Sequence, residues 1–402
     1  MNGIELTPDA AARALGPLGA ERGDGDPVDA YARALWSALV EPGDRVAGAL
    51  IDTVGAVRAL EMACATSGGW DEAALAGLTR NELTQARGRW HPRIGAAPPA
   101  LESARRAGVQ LVIPGDDAWP QRAYDLGPYA PVCLWARGEV ALLGGMTPAF
   151  AVVGARASSS YGEFVAADLA AGGAAAGIAV YSGAAYGIDA AAHAAALSAG
   201  GVTVAIMAGG LDRTYPVGNV DLVERITRTG VVIAEVPCGT TPTKHRFLAR
   251  NRLIAALSDA TVIVEAGWRS GALNTAHHAQ AIGRPLGVVP GPITSASSMG
   301  CHRLLREGDA VCITGLDDVR ELIGLGQTIF SSAQVGDHID DRTRVLDALS
   351  ARSARETADV ARRAGLAVGE AAALLGLLEL DGVVERRATG WVQRAPGAAT
   401  LW

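Results

Sequence analysis

The sequence predicts an α/β protein built on an extended, Rossmann-like, doubly wound and mostly parallel sheet. A small helical domain precedes the sheet and a winged-helix-like domain follows it. Between residues 150 and 312, apolar runs rich in Val, Ile and Ala recur along the chain. The runs are continuous, as expected of strands that helices cover on both faces. Each run ends in a Gly-rich or polar turn that leads into a helix, which places ligand-binding groups at the carboxyl ends of the strands.

The elements of this central region alternate regularly. We predict strands at 150–154, 178–182, 202–207, 231–236, 261–265, 286–289 and 310–313. We predict helices at 162–176, 188–199, 219–229, 247–258, 272–282, 300–307 and 317–324. The connections are long enough for the right-handed crossovers that parallel strands require.

The chain before this region divides into three parts. Residues 1–27 are rich in Gly, Pro, Asp and Ala and predict a flexible lead-in. Residues 28–90 carry apolar side chains at helical spacing, which predicts a small helical domain of the sterile-alpha-motif or helix-hairpin-helix type. Such a domain either binds nucleic-acid backbones or packs against protein. The Rossmann-like core spans 91–325 and adds two short strands near 109–113 and 131–136.

Residues 326–341 predict a linker, and 342–402 predict a third unit. Helical patterns lie at 345–349, 358–364 and 369–380, ahead of the hairpin pattern D-G-V-V-E-R-R-A-T-G-W-V-Q-R. Three helices followed by a hairpin are the winged-helix order. Residues 337–394 hold 9 Arg against 10 Asp and Glu, so duplex DNA binding and a protein-contact or structural role both stay open.

Composition limits the classes of function. Apolar residues make up 49% of the chain, and 35 basic against 42 acidic residues give a net charge of −7. A protein that is basic overall is excluded, so any nucleic-acid surface must be a local patch. The five cysteines lack C-x-x-C spacing and predict buried free thiols. The first residues are acidic and lack a basic n-region, and no apolar run reaches roughly 18 residues. We expect a cytoplasmic protein that does not associate with membranes.

Two turns at predicted strand ends offer anion-binding groups. The first, G-A-R-A-S-S-S-Y-G from residue 154, combines small residues with the charge of Arg156 and the hydroxyl of Ser158. The second contains Ser182 and Gly183. Small residues let backbone N–H groups approach a phosphate at a helix N-terminus. Neither G-x-G-x-x-G nor a Walker lysine is present, so a phosphate-bearing ligand other than a dinucleotide is favoured over a purely structural turn.

The sequence offers no catalytic constellation. Asp189 and His193 share a helix face, but no third ligand is near, which favours capping and packing over a metal pair. The patterns G-x-S-x-G and H-E-x-x-H are absent, as is the zinc-deaminase pattern, and no carboxylates are paired at strand ends. We therefore predict no catalytic residue, no metal and no cofactor.

The stretch K-H-R-F-L-A-R-N-R at 244–252 is the richest in nucleic-acid chemistry. Cationic groups follow phosphates and an aromatic ring stacks on bases, which together favour single-stranded nucleic acid over a solvated charged face. Lys244 is the only lysine in the chain. A further turn, R-S-G at 269–271, and P-G-P-I at 290–293 extend the same edge. A row of such turns suits a polymer with repeated phosphates.

Together these segments resemble the bacterial DNA-processing protein A family, also called DprA or Smf. The matching segments are V-V-G-A-R (152–156), S-x-Y-G (159–162), S-G-A-A-Y-G-I-D-A-A-A-H (182–193), G-G-L-D-x-x-Y-P-x-x-N (209–219), F-x-x-R-N-R-x-I-A-x-L (247–257), V-x-E-A-x-x-R-S-G-A-L-x-T-A (264–276) and P-G-P-I (290–293). They cover nearly all of 150–312, in order.

The resemblance implies a non-enzymatic, dimeric protein that binds single-stranded DNA. It further implies that the protein protects incoming strands in natural transformation and loads the RecA recombinase onto them. By match, the DNA-contacting residues are Gly154, Arg156, Ser182, Gly183, Lys244, Phe247, Arg250, Asn251, Arg252, Ser270 and Gly271. Tyr186 stands where many members carry Arg, and Asn274 replaces a commonly apolar residue.

Two enzyme classes compete with this interpretation. A phosphoribohydrolase-like enzyme, which cleaves nucleoside monophosphates, would have a similar sheet. That resemblance would also require a P-G-G-x-G-T-x-x-E turn. The corresponding segment here is E-A-G-W-R-S-G-A-L-N-T, with no following Glu to serve as acid. A nicotinamide-dependent oxidoreductase lacks its fingerprint.

Overall fold

The computed structural model describes residues 5–19, 26–145, 147–308, 310–326, 341–351, 353–380 and 382–393. The chain forms two compact units, Met1–Gln327 and Thr328–Trp402. Across the described ranges, every helix is too short or too polar to cross a membrane.

The first unit begins with short helices. They are α1 (Pro8–Leu15), α2 (Pro27–Leu39), α3 (Arg45–Val54), α4 (Ala56–Cys64), α5 (Trp70–Leu75), α6 (Arg80–Trp90) and α7 (Ala97–Arg106). Helix α1 corrects the prediction of a flexible lead-in, because Thr7 caps its N-terminus and Ala11 and Leu15 are buried. This helix has eight residues and lies in a segment rich in Gly and Pro, so it is too short for its apolar periodicity to be recognised in the sequence.

The helical region shares its core with the sheet. Trp36 and Trp90 meet edge to face at 5.0 Å between ring centroids. The indole N–H of Trp135, on strand β2 (Leu134–Gly138), donates to Ser37 Oγ at 3.3 Å. One hydrophobic cluster joins these helices to the sheet, so the predicted boundary near residue 90 does not separate two bodies.

The sheet of the described core has nine strands. Besides β2 they are β1 (Gln110–Val112), β3 (Ala149–Val153), β4 (Ala179–Ser182), β5 (Thr203–Met207), β6 (Val231–Ala234), β7 (Ala260–Ile263), β8 (Leu286–Val288) and β9 (Val311–Cys312). Their order is β1-β2-β6-β5-β4-β3-β7-β8-β9. Strands β3 to β9 pair in parallel, and β1 and β2 add an antiparallel edge. The predicted fold class is confirmed.

Helices follow the parallel strands on both faces of the sheet. They are α8 (Ser160–Ala175), α9 (Ile188–Ser198), α10 (Val220–Thr229), α11 (Lys244–Ala256), α12 (Ala272–Ala281), α13 (Met299–Glu307) and α14 (Leu316–Leu322). Separate apolar clusters cover the two faces. Cys312 is exposed on the edge strand β9 and Cys64 is half-buried, which corrects the prediction that all five thiols are buried.

Helix α11 begins three residues earlier than predicted. Thr243 is its N-cap, and Thr243 Oγ1 accepts from the Arg246 backbone N–H at 3.3 Å. The segment K-H-R is therefore the first helical turn instead of the end of a loop. The helix start fixes which of the basic side chains face the same side.

The second unit contains α15 (Asp341–Asp347), α16 (Thr357–Ala364) and α17 (Val368–Leu380), followed by the antiparallel hairpin of β10 (Val384–Arg387) and β11 (Gly390–Gln393). Val345, Val360, Leu375 and Trp391 form part of its core. Three helices and a hairpin match the predicted winged-helix order. The predicted linker at 326–341 lies almost wholly outside the described residues.

Candidate nucleic-acid interface

A groove with a volume of about 1010 Å³ runs along the carboxyl ends of the central strands. Strand β3 lies between β4 and β7. Strands β4 to β6 are therefore added on one side of β3 and strands β7 to β9 on its other side, which makes β3 the switch point of the sheet. Loops leaving β3 and β7 diverge at such a switch point and open a crevice. The groove is lined by 153–157 after β3, by Gly267 and 269–272 after β7 and by the first turns of α11.

Glu265 holds the first loop against the loop that follows β7. Its carboxylate is buried and accepts from the Ser159 backbone N–H at 2.9 Å, from Ser159 Oγ at 2.5 Å and from Ser297 Oγ at 3.2 Å. A Cβ on Gly162 would stand 2.5 Å from Glu265 Cδ, which explains why this position needs Gly. The carboxylate is therefore a structural anchor for the loop that carries Arg156.

Phe247 has one cationic and one aromatic neighbour. The Arg156 Cζ lies 4.6 Å from the Phe247 ring centroid, and the Tyr215 ring lies 5.8 Å away at a tilt of 56°. Arg156 and Lys244 are exposed, and all four side chains line the groove. Charge for phosphates and rings for bases thus lie side by side, as single-strand binding requires.

Arg250 forms the floor of the groove together with the second turn. Its Nη1 donates to the carbonyl oxygens of Gly183, at 2.7 Å, and Ile206. Burial lowers the pKa of Arg250 to about 10, an effect that Asp189 opposes and Arg156 reinforces. A Cβ on Gly183 would lie 2.0 Å from Arg250 Nη1. Gly183 is needed so that the arginine can pass beneath the turn.

His193 has the packing role that the sequence favoured, whereas Asp189 binds the turn before α9 and does not cap that helix. Asp189 Oδ2 accepts from the backbone N–H groups of Gly183 at 3.2 Å and Ala185 at 3.3 Å. Burial raises the pKa of Asp189, against the opposing effects of Arg250 and these N–H groups. His193 Nδ1 lies 2.7 Å from Thr203 Oγ1, and burial lowers its pKa to about 3. Within the described ranges, no cluster of His, Cys, Asp or Glu could hold a metal ion.

Asn251 ties α11 to the loop after β7. Its Nδ2 donates to the Gly271 carbonyl at 3.3 Å and to Asn274 Oδ1 at 3.2 Å. Ser270 Oγ accepts from the Ala272 N–H at 3.3 Å, at the start of α12. Asn274, which replaces a commonly apolar residue of the family, therefore supplies a hydrogen-bond partner for Asn251.

Three residues proposed as DNA contacts lie away from the groove lining. Arg252 forms a buried bidentate pair with Glu235, at 2.6 and 2.7 Å, and donates to the Tyr129 carbonyl. Ser182 is fully buried, and its Oγ donates to the Val152 carbonyl at 2.6 Å. Ser158 donates to Glu163 at 2.7 Å. The structure gives these three side chains protein partners. By contrast, Gly154, Arg156, Lys244, Phe247, Arg250, Asn251, Ser270 and Gly271 line the groove, and Gly183 lines a smaller pocket that joins it.

Tyr215 and Arg213 are groove or pocket residues that the sequence analysis did not select. Arg269, which it named only as part of the R-S-G turn, also lines the groove. The segment G-G-L-D-x-x-Y-P, which contains both Arg213 and Tyr215, was part of the family match and follows strand β5. Its position after a strand was the signal that could have placed it at the ligand edge. Tyr186 Oη accepts from the Gly218 N–H at 3.2 Å. The residue that replaces the common arginine thus fastens the segment that carries Tyr215.

Comparisons with known proteins agree with this arrangement. The family model of the DNA recombination-mediator protein A matches residues 110–324, and that of the DprA winged helix domain matches 332–397. The DNA processing protein DprA of Mycobacterium tuberculosis H37Rv is 42% identical over 382 residues, covering 91% of this chain and 94% of that protein. The protein Smf of Escherichia coli K12 is 32% identical over 71% of this chain and 76% of its own length. The structure of DprA from Streptococcus pneumoniae has a TM-score of 0.58 and 31% identity, over 72% of this chain and 95% of that one.

The fold and the groove define a doubly wound α/β protein with a cationic, aromatic crevice at its switch point, joined to a winged-helix domain. The chain belongs to the DNA recombination-mediator protein A family, because the family model covers more than half of it and a relative matches over nearly its full length. This confirms the resemblance to DprA and Smf drawn from the motifs.

Proposed function

We propose that this chain binds single-stranded DNA in the groove at the switch point of its sheet. The observation that carries the proposal is the stack of Arg156 on Phe247 beside the exposed Lys244. A ring can stack on a base only if that base is unpaired and splayed from its neighbours, so this arrangement favours a single strand over a duplex.

A strand fits the groove better than one nucleotide does. Its volume of about 1010 Å³ is at the upper end for small-molecule sites, which run from about 300 to 1,000 Å³. Arg156, Lys244 and Arg269 come from three different elements of its lining. Cations distributed in this way suit successive phosphates of one polymer.

We further propose that the protein acts by binding and not by catalysis. Among the described residues that line the groove, the one carboxylate is Asp189. Asp189 and Glu265, the anchor of the first loop, both accept hydrogen bonds from the protein itself. Asp189 is buried beneath the second turn and Glu265 behind the first loop. Neither is free to act as the acid of a nucleotide-cleaving enzyme.

The family membership supports the wider biological task. We propose that the protein works in the cytoplasm as a homodimer, protects incoming single strands in natural transformation and loads RecA onto them. The description of the family as a recombination mediator agrees with that task.

Competition binding tests the proposed function directly. Fluorescein-labelled oligo-dT is titrated with the full chain and then challenged with unlabelled single strand or duplex of equal length. The proposal predicts displacement by single strand at much lower concentration than by duplex. Equal displacement by duplex would contradict it. Release of free base from nucleoside monophosphates in a parallel incubation would favour the phosphoribohydrolase-like alternative.

A further inference from the structure

Trp268 is an exposed aromatic side chain at the rim of the groove. The residue is 53% exposed, although tryptophan is highly buried on average. Its chain neighbours Gly267 and Arg269 both line the groove. A single exposed ring needs no functional explanation by itself, so the surroundings of the indole decide its meaning.

Arg303 lies against the indole. Its Cζ stands 5.2 Å from the Trp268 ring centroid, within the range of a cation–π contact. Arg303 belongs to α13, which follows the loop containing the groove residues Ala296 and Ser297. An ion pair with Glu307, at 3.4 Å between Nε and Oε1, helps to orient the guanidinium.

The loop that carries Trp268 is fixed to the same helix. The Gly300 N–H donates to the Ala266 carbonyl at 2.7 Å, and a Cβ on Gly300 would stand 2.7 Å from the carbonyl oxygens of Ala266 and Gly267. This close approach fixes the backbone of Ala266 and Gly267, the two residues before Trp268, against helix α13. The ring is therefore held in position beside the groove, which lowers the entropy cost of stacking on it.

Phe247 in the groove and Trp268 at its rim share one arrangement of ring and cations. Each ring carries an arginine over it, Arg156 at 4.6 Å and Arg303 at 5.2 Å. Each also has an exposed cation close by in the chain, Lys244 for Phe247 and Arg269 for Trp268. A strand presents one base and one phosphate per nucleotide, so a repeated pair of ring and cation matches its repeat.

We propose that Trp268 is a second base-stacking platform, which extends the path of the DNA strand from Phe247 along the loop after β7. The inference rests on the proposed function. The occupant is a base of the same single strand, because the rim is continuous with the groove and Arg269 supplies a cation for its phosphate. A protein partner at this ring is the alternative that the test excludes.

The test compares four variants on two strands. Anisotropy titrations use oligo-dT of roughly 15 nucleotides, close to the largest sites of single-strand grooves, and a fully abasic strand of equal length. Trp268→Ala is expected to weaken oligo-dT binding roughly 5- to 150-fold, the fold-change of one base–aromatic stack. Trp268→Phe retains most of the affinity. Trp268→Leu, which keeps apolar volume without a ring, also weakens binding and serves if the alanine variant fails to fold.

The abasic strand separates stacking from other effects. It keeps the phosphates but has no bases, so all Trp268 variants are expected to bind it as the wild type does. Tyr124→Ala is the matched control, since Tyr124 is 50% exposed and does not line the groove. Unchanged affinity of Trp268→Ala and Trp268→Leu for oligo-dT overturns the inference, as does an equal loss on the abasic strand. Absence of oligo-dT binding by the wild type overturns the proposed function as well.

Discussion

The Arg156 guanidinium lies over the Phe247 ring, with its Cζ 4.6 Å from the ring centroid. This contact joins the loop after β3 to helix α11, so the charge from one element and the ring from another form a single surface. An incoming base must use the remaining face of the ring or displace Arg156 from it. The pair is the centre of the proposed DNA site.

Replacement of Phe247 by alanine is expected to weaken oligo-dT binding by about 1–3 kcal/mol, the cost of losing one base–aromatic stack. Anisotropy titration measures the change. Phe164→Ala is the control, because Phe164 is 70% exposed on α8 and lies outside the groove lining. If both variants bind as tightly as the wild type, Phe247 is not a stacking platform.

A methyl group on Gly183 is expected to disturb the floor of the groove. The new Cβ would lie 2.0 Å from Arg250 Nη1, and the buried arginine cannot move without losing its carbonyl partners. We expect Gly183→Ala to cost about 1–3 kcal/mol of unfolding free energy and to weaken DNA binding. Denaturant unfolding measures the first effect.

Gly271→Ala is the matched control for Gly183→Ala. No atom lies within 4 Å of its added Cβ, and Gly271 has a φ of −61°. Its unfolding free energy should stay within about 0.5 kcal/mol of the wild type. Equal losses in the two glycine variants would show that the contact with Arg250 does not matter.

Arg252 is expected to stabilise the fold without contacting DNA. Its pair with Glu235 is buried, with 6% and 10% of the side chains exposed. Arg252→Ala leaves a buried carboxylate without its partner, which typically costs about 3–5 kcal/mol. The folded fraction should bind oligo-dT with unchanged affinity. Weaker DNA binding by Arg252→Ala at an unchanged free energy of unfolding would instead show that Arg252 contacts DNA.

Glu41 links the helical region to helix α11 through Arg246 and should make stability depend on pH. Burial alone would raise the pKa of Glu41, but Arg246 and Arg93 outweigh it and lower the pKa. A lowered folded-state pKa adds stability above the ordinary glutamate pKa, and that stability is lost as pH falls through the folded-state value. We expect Glu41→Gln to lower Tm at neutral pH.

The difference in Tm between wild type and Glu41→Gln should shrink as the solution is acidified below the ordinary glutamate range. Thermal unfolding at a series of pH values measures it. Glu102→Gln is a useful comparison, because within the described residues the ion pairs of Glu102 join it to neighbours on its own helix. A Tm difference that stays constant with pH would show that the charge of Glu41 contributes nothing to the link.

The sequence predicted the sheet and the groove because their signals are local. Continuous apolar runs and polar turns mark each parallel strand and its carboxyl end, so Arg156 and Ser270 could be assigned to one edge. The composition of 244–252 likewise indicated single-strand chemistry.

The direction of individual side chains depended on tertiary structure. Thr243 begins α11 earlier than predicted, which turns Lys244 to the groove while Arg246 and Arg252 find carboxylates on other elements. The anchoring role of Glu265 depends on two loops meeting across β3 and β7, and no local pattern records that contact.

A salt titration of oligo-dT binding, with wild type beside Lys244→Ala and Lys244→Arg, tests the central claim most directly. Binding by cations that replace counterions weakens as salt increases, and each phosphate contact adds roughly 0.7 to the slope of log affinity against log salt on a single strand. The account predicts a slope for Lys244→Ala smaller by about that amount, with Lys244→Arg close to wild type. Equal slopes and affinities for wild type and Lys244→Ala would contradict it.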